Sequence, residues 1–186
     1  MRQPMVCFAL LLLSSWSIAQ TVLSNESLVT TTLVVNKTPV TVQCGKSGCK
    51  TEKKSMLAAI PVNCPAPTGQ TCTLHIALDT KVSVGSLFGG VSHPGPTSFF
   101  QFLIDDAPPT FGPTDAHGNY MFAQNVVTDR GTLLVERQSY AASVVTSVQS
   151  GNHKIDVNLA CIDLFDSGGC LVTAHWSTMR IDVFEP

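Results

Sequence analysis

The chain has 186 residues, a formal net charge of −2 and only 13% charged side chains, about half the share of an average globular protein. So little charge leaves no electrostatic footprint for nucleic acid, while a 44% hydrophobic content argues against intrinsic disorder. The length suits one domain that buries most of its apolar surface and is too short for two.

The chain opens with Arg2, an apolar run from Met5 to Leu13 and small residues at Ser17 and Ala19. This is the pattern of a secretory signal peptide cut after Ala19. The expected organisation is therefore a leader over residues 1–19 and a single domain over residues 20–186. The run is well short of the roughly twenty residues a membrane-spanning helix needs, and no later segment is apolar for that long, so a soluble, secreted chain without a membrane span is expected. Cys7 leaves with the leader. Asn25-Glu26-Ser27 and Asn36-Lys37-Thr38 fit the N-glycosylation pattern, which matters if the source is eukaryotic.

Short runs of β-branched residues bounded by Gly, Pro, Asn or Asp follow. Leu28 to Val35 and Val40 to Gln43 read as the arms of a hairpin turning at Asn36-Lys37-Thr38-Pro39. Met56 to Val62 is a further apolar run, although Ala58 and Ala59 favour helix. Thr73 to Leu78 alternates, with Leu74, Ile76 and Leu78 on one face, and Val82 to Leu87 resumes after an expected turn at Asp79-Thr80. Residues 88–97 and 105–119 concentrate glycine, proline and acidic groups and read as long loops, with an aromatic strand from Ser98 to Ile104 between them. Tyr120 to Val127, Thr132 to Glu136 and Ser139 to Val148 come next. His153 to Cys161, Cys170 to Trp176 and Met179 to Phe184 complete the set, with a turn at Ser150-Gly151-Asn152. Many short strands without intervening helices predict an all-β fold: an antiparallel β-sandwich, jelly-roll-like or immunoglobulin-like, stapled by disulfides.

Export makes Cys44, Cys49, Cys64, Cys72, Cys161 and Cys170 disulfide partners before they are metal ligands. Their spacing favours three local bridges, Cys44 with Cys49, Cys64 with Cys72 and Cys161 with Cys170, each at the base of a hairpin loop. The first four can also cross-pair, Cys44 with Cys72 and Cys49 with Cys64. The last pairing is the strongest expectation.

Asp105, Asp106, Asp115 and His117 lie together in one loop, where oxygen-rich side chains suit a cation or a glycan. Asp-Asp-Ala-Pro-Pro and Asp-Ala-His-Gly-Asn are also turn-forming sequences whose aspartates serve the backbone. Phe111 and Tyr120 add rings that can stack on a sugar or anchor a partner, as can Phe99 and Trp176; packing beneath the last cysteine loop explains Trp176 more simply. His75 and His175 can share one sheet surface, yet no His-x-His or His-Glu-x-x-His spacing presents two imidazoles to a metal. No serine elbow or supported carboxylate pair for nucleophilic or glycosidic chemistry is present.

These observations lead to a secreted, non-catalytic binding or structural module that contacts a glycan or another protein through the two long loops, with no cofactor or metal. The competing reading is a secreted hydrolase or metal-dependent enzyme built from Asp105, Asp106, Asp115, His117 and His93. Converging acids and histidines in a compact pocket would favour the enzyme, and a flat, aromatic-rimmed surface the binder.

Overall fold

The computed structural model describes residues 26–44, 52–86, 94–109, 114–115, 117–126, 136–162 and 169–186. Nine strands are present among them: β1 (Ser27–Asn36), β2 (Val40–Cys44), β3 (Glu52–Cys64), β4 (Thr71–Ser86), β5 (Pro94–Ile104), β6 (Asn119–Val126), β7 (Glu136–Gln149), β8 (Gly151–Ile162) and β9 (Cys170–Glu185). Period-two alternation explains why they stack as two layers. In β4 every second side chain from Cys72 to Val84 is buried, and in β8 Ile155, Val157 and Leu159 point inward with no exposed surface. Both inner faces supply one core, in which Phe100, Phe102, Leu74, Ile76, Leu78, Met179 and Ile181 are among the largest buried side chains.

The first sheet runs β1-β9-β4-β7, with β2 also on β9, and the second runs β3-β8-β5-β6. All these pairs are antiparallel. The expected β1–β2 hairpin does not form. β1 pairs with Ser177–Glu185 and β2 with Cys170–Ala174, so both run in the same direction along one side of β9. The break between them is a kink, because Pro39 restricts the backbone before it to extended geometry and Asn36 folds over the step. Its Oδ1 accepts the Thr38 N–H at 2.9 Å, and its Nδ2 donates to the Met56 carbonyl of β3 at 2.8 Å. With β1 and β2 counted as one bent strand, the strands pair first with last, second with next-to-last, and so inward to β5 with β6. That nested order, rolled into two sheets, is the jelly-roll connectivity.

Two further expectations change. β4 runs unbroken through Asp79-Thr80, and β9 runs unbroken through Ser177-Thr178. These polar residues face each other across the ladder, Asp79 opposite Thr178 and Thr80 opposite Ser177. Thr80 and Ser177 are buried, 1% and 2% exposed, and tolerate it because their hydroxyls bond each other at 3.1 Å while Thr80 donates to the Trp176 carbonyl at 2.7 Å. Satisfied hydroxyls do not break a buried strand.

Cys64 bonds Cys72, and Cys161 bonds Cys170, as the spacing suggests and against the cross-paired alternative. Neither bridge closes a hairpin, however. Cys64 ends β3 and Cys161 lies on β8 in the second sheet, whereas Cys72 and Cys170 lie on β4 and β9 in the first. Each disulfide therefore rivets one layer to the other. Cys170 sits opposite Ser86, fourteen residues along β4 from Cys72, so the rivets are about 46 Å apart at the strand rise of roughly 3.3 Å. Cys49 lies outside the described residues, and the Cys44–Cys49 expectation with it. Among the described residues, no helix is long and apolar enough to cross a membrane.

Candidate functional site

The acidic loop after β5 is organised by its own backbone. Asp105 and Asp106 take positive φ values of 51° and 67°, which Asp tolerates better than most residues. Ile104 and Ala107 exchange backbone hydrogen bonds of 2.8 and 2.9 Å around them, the two-residue turn expected when both central residues are left-handed. The side chains then reach β8. Asp105 accepts the Lys154 N–H at 2.9 Å and a His153 Nδ1 bond at 2.6 Å, and Lys154 Nζ donates to Asp106 at 2.9 Å. His153 Nε2 meets the Gln149 carbonyl at 2.7 Å. Both partners of the ring are acceptors, so only the imidazolium donates to both.

Burial alone would push the Asp105 carboxyl up, but the His153 and Lys154 hydrogen bonds and their charges outweigh it and hold it below the usual carboxylate value. For His153, burial favours the neutral ring, and the bonds to Asp105 and Gln149 together with the Asp105 charge reverse this and raise it. The Asp106 hydrogen bond leads the upward shift of Lys154.

Asp115 closes a separate turn. Oδ1 accepts the His117 and Asn119 N–H groups at 2.8 and 2.9 Å, and Oδ2 accepts Asn119 Nδ2 at 2.9 Å. Desolvation opposes its ionisation, and these donors with the His117 charge more than compensate, lowering its pKa. His117 is exposed and its carbonyl takes the Gln101 side chain at 3.0 Å. Tyr120, on β6 opposite Phe100, is half-buried against the core. Phe111, His93, Asn25 and the stretch 87–93 lie outside the described residues. Asn36, the other glycosylation candidate, is half-buried with its amide nitrogen on Met56. Thus Asp105 and Asp106 are brought to His153 and Lys154, while Asp115 is occupied by its own turn. Among the described residues no three His, Cys, Asp or Glu side chains converge to hold a metal ion.

The outward face of the first sheet gathers a second set of side chains. His75 and His175 do share it, but seven residues of strand separate His75 from Val82, which is opposite Ala174, or about 23 Å. His75 Nε2 bonds Ser143 Oγ at 2.7 Å, and its Nδ1 lies 3.9 Å from Asp182 Oδ2. The order Ser143, His75, Asp182 resembles a hydrolytic triad in type only. The second distance is too long for a hydrogen bond, Asp182 is occupied by Thr31 and Arg180, and β4 is paired along both edges, leaving its N–H groups committed to ladders and not to an oxyanion.

A depression of about 380 Å³ opens a few residues away, lined by Asp79 and Thr80 of β4, Ser139, Tyr140 and Ala141 of β7, and Trp176 and Thr178 of β9. A bulge creates it. The β4–β9 register steps from Lys81 opposite Trp176 to Val82 opposite Ala174, so His175 is the extra residue, and Trp176 emerges 39% exposed; residues 163–168 of the cysteine loop lie outside the described residues. Asp79 sits between Ala141 on one side and Thr178 on the other, and the small Ala141 side chain leaves room beside it. An indole, a phenol-bearing residue, a carboxylate and two hydroxyls thus border one open hollow.

No family model matches the chain, and no curated protein matches it. Among solved structures it is similar to a chain in the structure of infectious bursal disease virus Gx strain, at 7% identity and a TM-score of 0.23, covering 87% of this chain and 40% of that one. The VP2 subviral particle of the same virus gives 11% identity and a TM-score of 0.21, covering 87% and 41%. The chain spans about two fifths of the length of these proteins. The likeness is distant, and the strand pairing itself defines the fold.

Proposed function

We propose that the protein is a secreted, non-catalytic module that binds carbohydrate in the Trp176 hollow. The observation that carries this reading is the exposed indole beside Asp79, Ser139 and Thr178 on a rigid sheet. The apolar face of a sugar ring stacks on an aromatic plane, while its hydroxyls need a few fixed polar groups at the edge. A volume near the lower end of small-molecule sites fits one or two sugar rings better than a protein side of standard interface size. Two disulfides suit an oxidising compartment. The acidic loop supports the hydrolase reading poorly, because Asp105 already accepts two and Asp115 three hydrogen bonds from the chain itself.

The test is a panel of soluble oligosaccharides, including cello-, xylo-, laminari- and chito-oligomers, measured by calorimetry against the native protein and Trp176→Ala. The expected result is saturable binding of at least one class, weakened by about 2 kcal/mol or roughly thirtyfold in Kd on loss of the indole. Binding unaffected by Trp176→Ala, or no binding across the panel, refutes the proposal.

A further inference from the structure

Of the six aspartates among the described residues, five are held by donors of the chain itself. Asp105, Asp106 and Asp115 serve the turns between β5 and β6 and the link to β8. Asp156 accepts the Ala59 N–H at 2.7 Å, and Asp182 accepts Thr31 Oγ1 at 2.7 Å and Arg180 Nε at 2.9 Å. Asp79 is the exception. It is exposed, and among the described residues it has no hydrogen bond or ion pair. It is also the one charged side chain among the described residues that line the Trp176 hollow.

The nearby cations leave that carboxylate without a partner. On β9, Arg180 stands two residues beyond Thr178, but its Nε and Nη2 both bond Asp182, farther along the strand. On β4 itself, Lys81 shares the outward face opposite Trp176 and Ser139; it does not line the hollow, and it forms no ion pair with Asp79. From β7 come Ser139, Tyr140 and Ala141, which bring no carboxylate and no cation. Asp79 is opposite Thr178 and Trp176 opposite Lys81, so the carboxylate-bearing and indole-bearing residues are diagonal neighbours, about 7–8 Å apart. These two groups share a preference. The indole face attracts a cation through its quadrupole, a carboxylate takes a charge-assisted hydrogen bond from an ammonium, and like charge disfavours a uronate or a sulfate beside Asp79.

We infer that the hollow takes an amino sugar, whose ring stacks on Trp176 while its free ammonium is held by Asp79. This rests on the carbohydrate reading of the hollow and narrows it to one class of ligand.

The experiment compares a cello-oligomer with the fully deacetylated chito-oligomer of the same length, a chain of the same linkage with an ammonium in place of one hydroxyl on each ring. Calorimetry is run at about pH 6, where the amine is charged. Expected is a preference of about fivefold in Kd for the amino form, the upper end for an exposed ion pair. That preference collapses in Asp79→Asn, which keeps the native circular dichroism because the residue is exposed. It also collapses without any variant, in about 1 M sodium chloride and at a pH above the ionisation of the amine. Equal affinities, or a preference that Asp79→Asn leaves in place, overturn the inference and leave the carbohydrate reading standing wherever a neutral oligomer binds. Absence of binding by both chains and by the whole neutral panel removes the two together.

Discussion

Because each disulfide joins one sheet to the other at opposite ends of β4, the two should act as independent staples of the sandwich. The loops they close have sequence separations of 8 and 9. On the chain-entropy relation each removes about 2.5 kcal/mol of freedom from the unfolded chain. All four cysteines are at most 2% exposed, so replacing a pair by alanine adds a small cavity term, and the total is about 3–4 kcal/mol per bridge. In a domain of this size that lowers Tm by roughly 8–14 °C. Calorimetry on Cys64→Ala/Cys72→Ala, on Cys161→Ala/Cys170→Ala and on the fourfold variant makes the test. At about 46 Å apart the losses should add to within about 0.5 kcal/mol. A fourfold variant no worse than the weaker double, or a double variant within about 1 °C of the native protein, would refute the view that these bridges hold the layers together.

The clamp between β5 and β8 makes stability depend on pH. His153, with its pKa raised, contributes fully below its unfolded value near 6.5 and loses that contribution as pH rises through the folded one; Asp105, lowered, contributes above 3.8 and loses it as pH falls through its folded value. The stability gap between native protein and His153→Gln should therefore be widest near pH 5, on the order of 1 kcal/mol given the 49% exposure of Asp105, and should shrink in denaturant melts at pH 8; a gap that widens with pH contradicts the assignment. Gly118 has φ +77°, and a Cβ there would collide with the Phe102 carbonyl oxygen, so Gly118→Ala should cost about 2–3 kcal/mol and lower Tm by roughly 5–10 °C. An unchanged melting temperature would mean the turn relaxes freely. Trp176→Ala, which removes a side chain bordered by solvent, should leave Tm within about 2 °C while weakening carbohydrate binding, separating a binding role from a structural one.

The alternation in β4, in Phe100–Ile104 of β5 and in Ile155–Leu159 of β8 is readable because each of these stretches has a buried face and a more open one, and period two is then enforced residue by residue. Asn36-Lys37-Thr38-Pro39 has turn composition, but a kink and a reversal use the same residues, and only pairing with β9 decides against a β1–β2 hairpin. The turn expected at Asp79-Thr80 failed for a related reason. Thr80 is polar but finds Ser177 and the Trp176 carbonyl inside the sandwich, a compensation supplied from nearly a hundred residues away. The hollow did leave a trace in the sequence. Cys170, Val172 and Ala174 point inward on even positions, whereas Met179, Ile181 and Val183 do so on odd ones, and such a change of phase within one strand requires a bulge between them. Asp79, Tyr140 and Thr178 carry no such mark, because strand order alone makes them neighbours of Trp176.

The most direct test of the central claim is to follow the backbone amide resonances of the protein while titrating the oligosaccharide that binds best. Shifts concentrated at Asp79, Ser139 to Ala141 and Trp176 to Thr178 are expected. Shifts centred instead on residues 105–119 and 153–156 would contradict it, returning the site to the acidic loop and removing the bulged tryptophan from function.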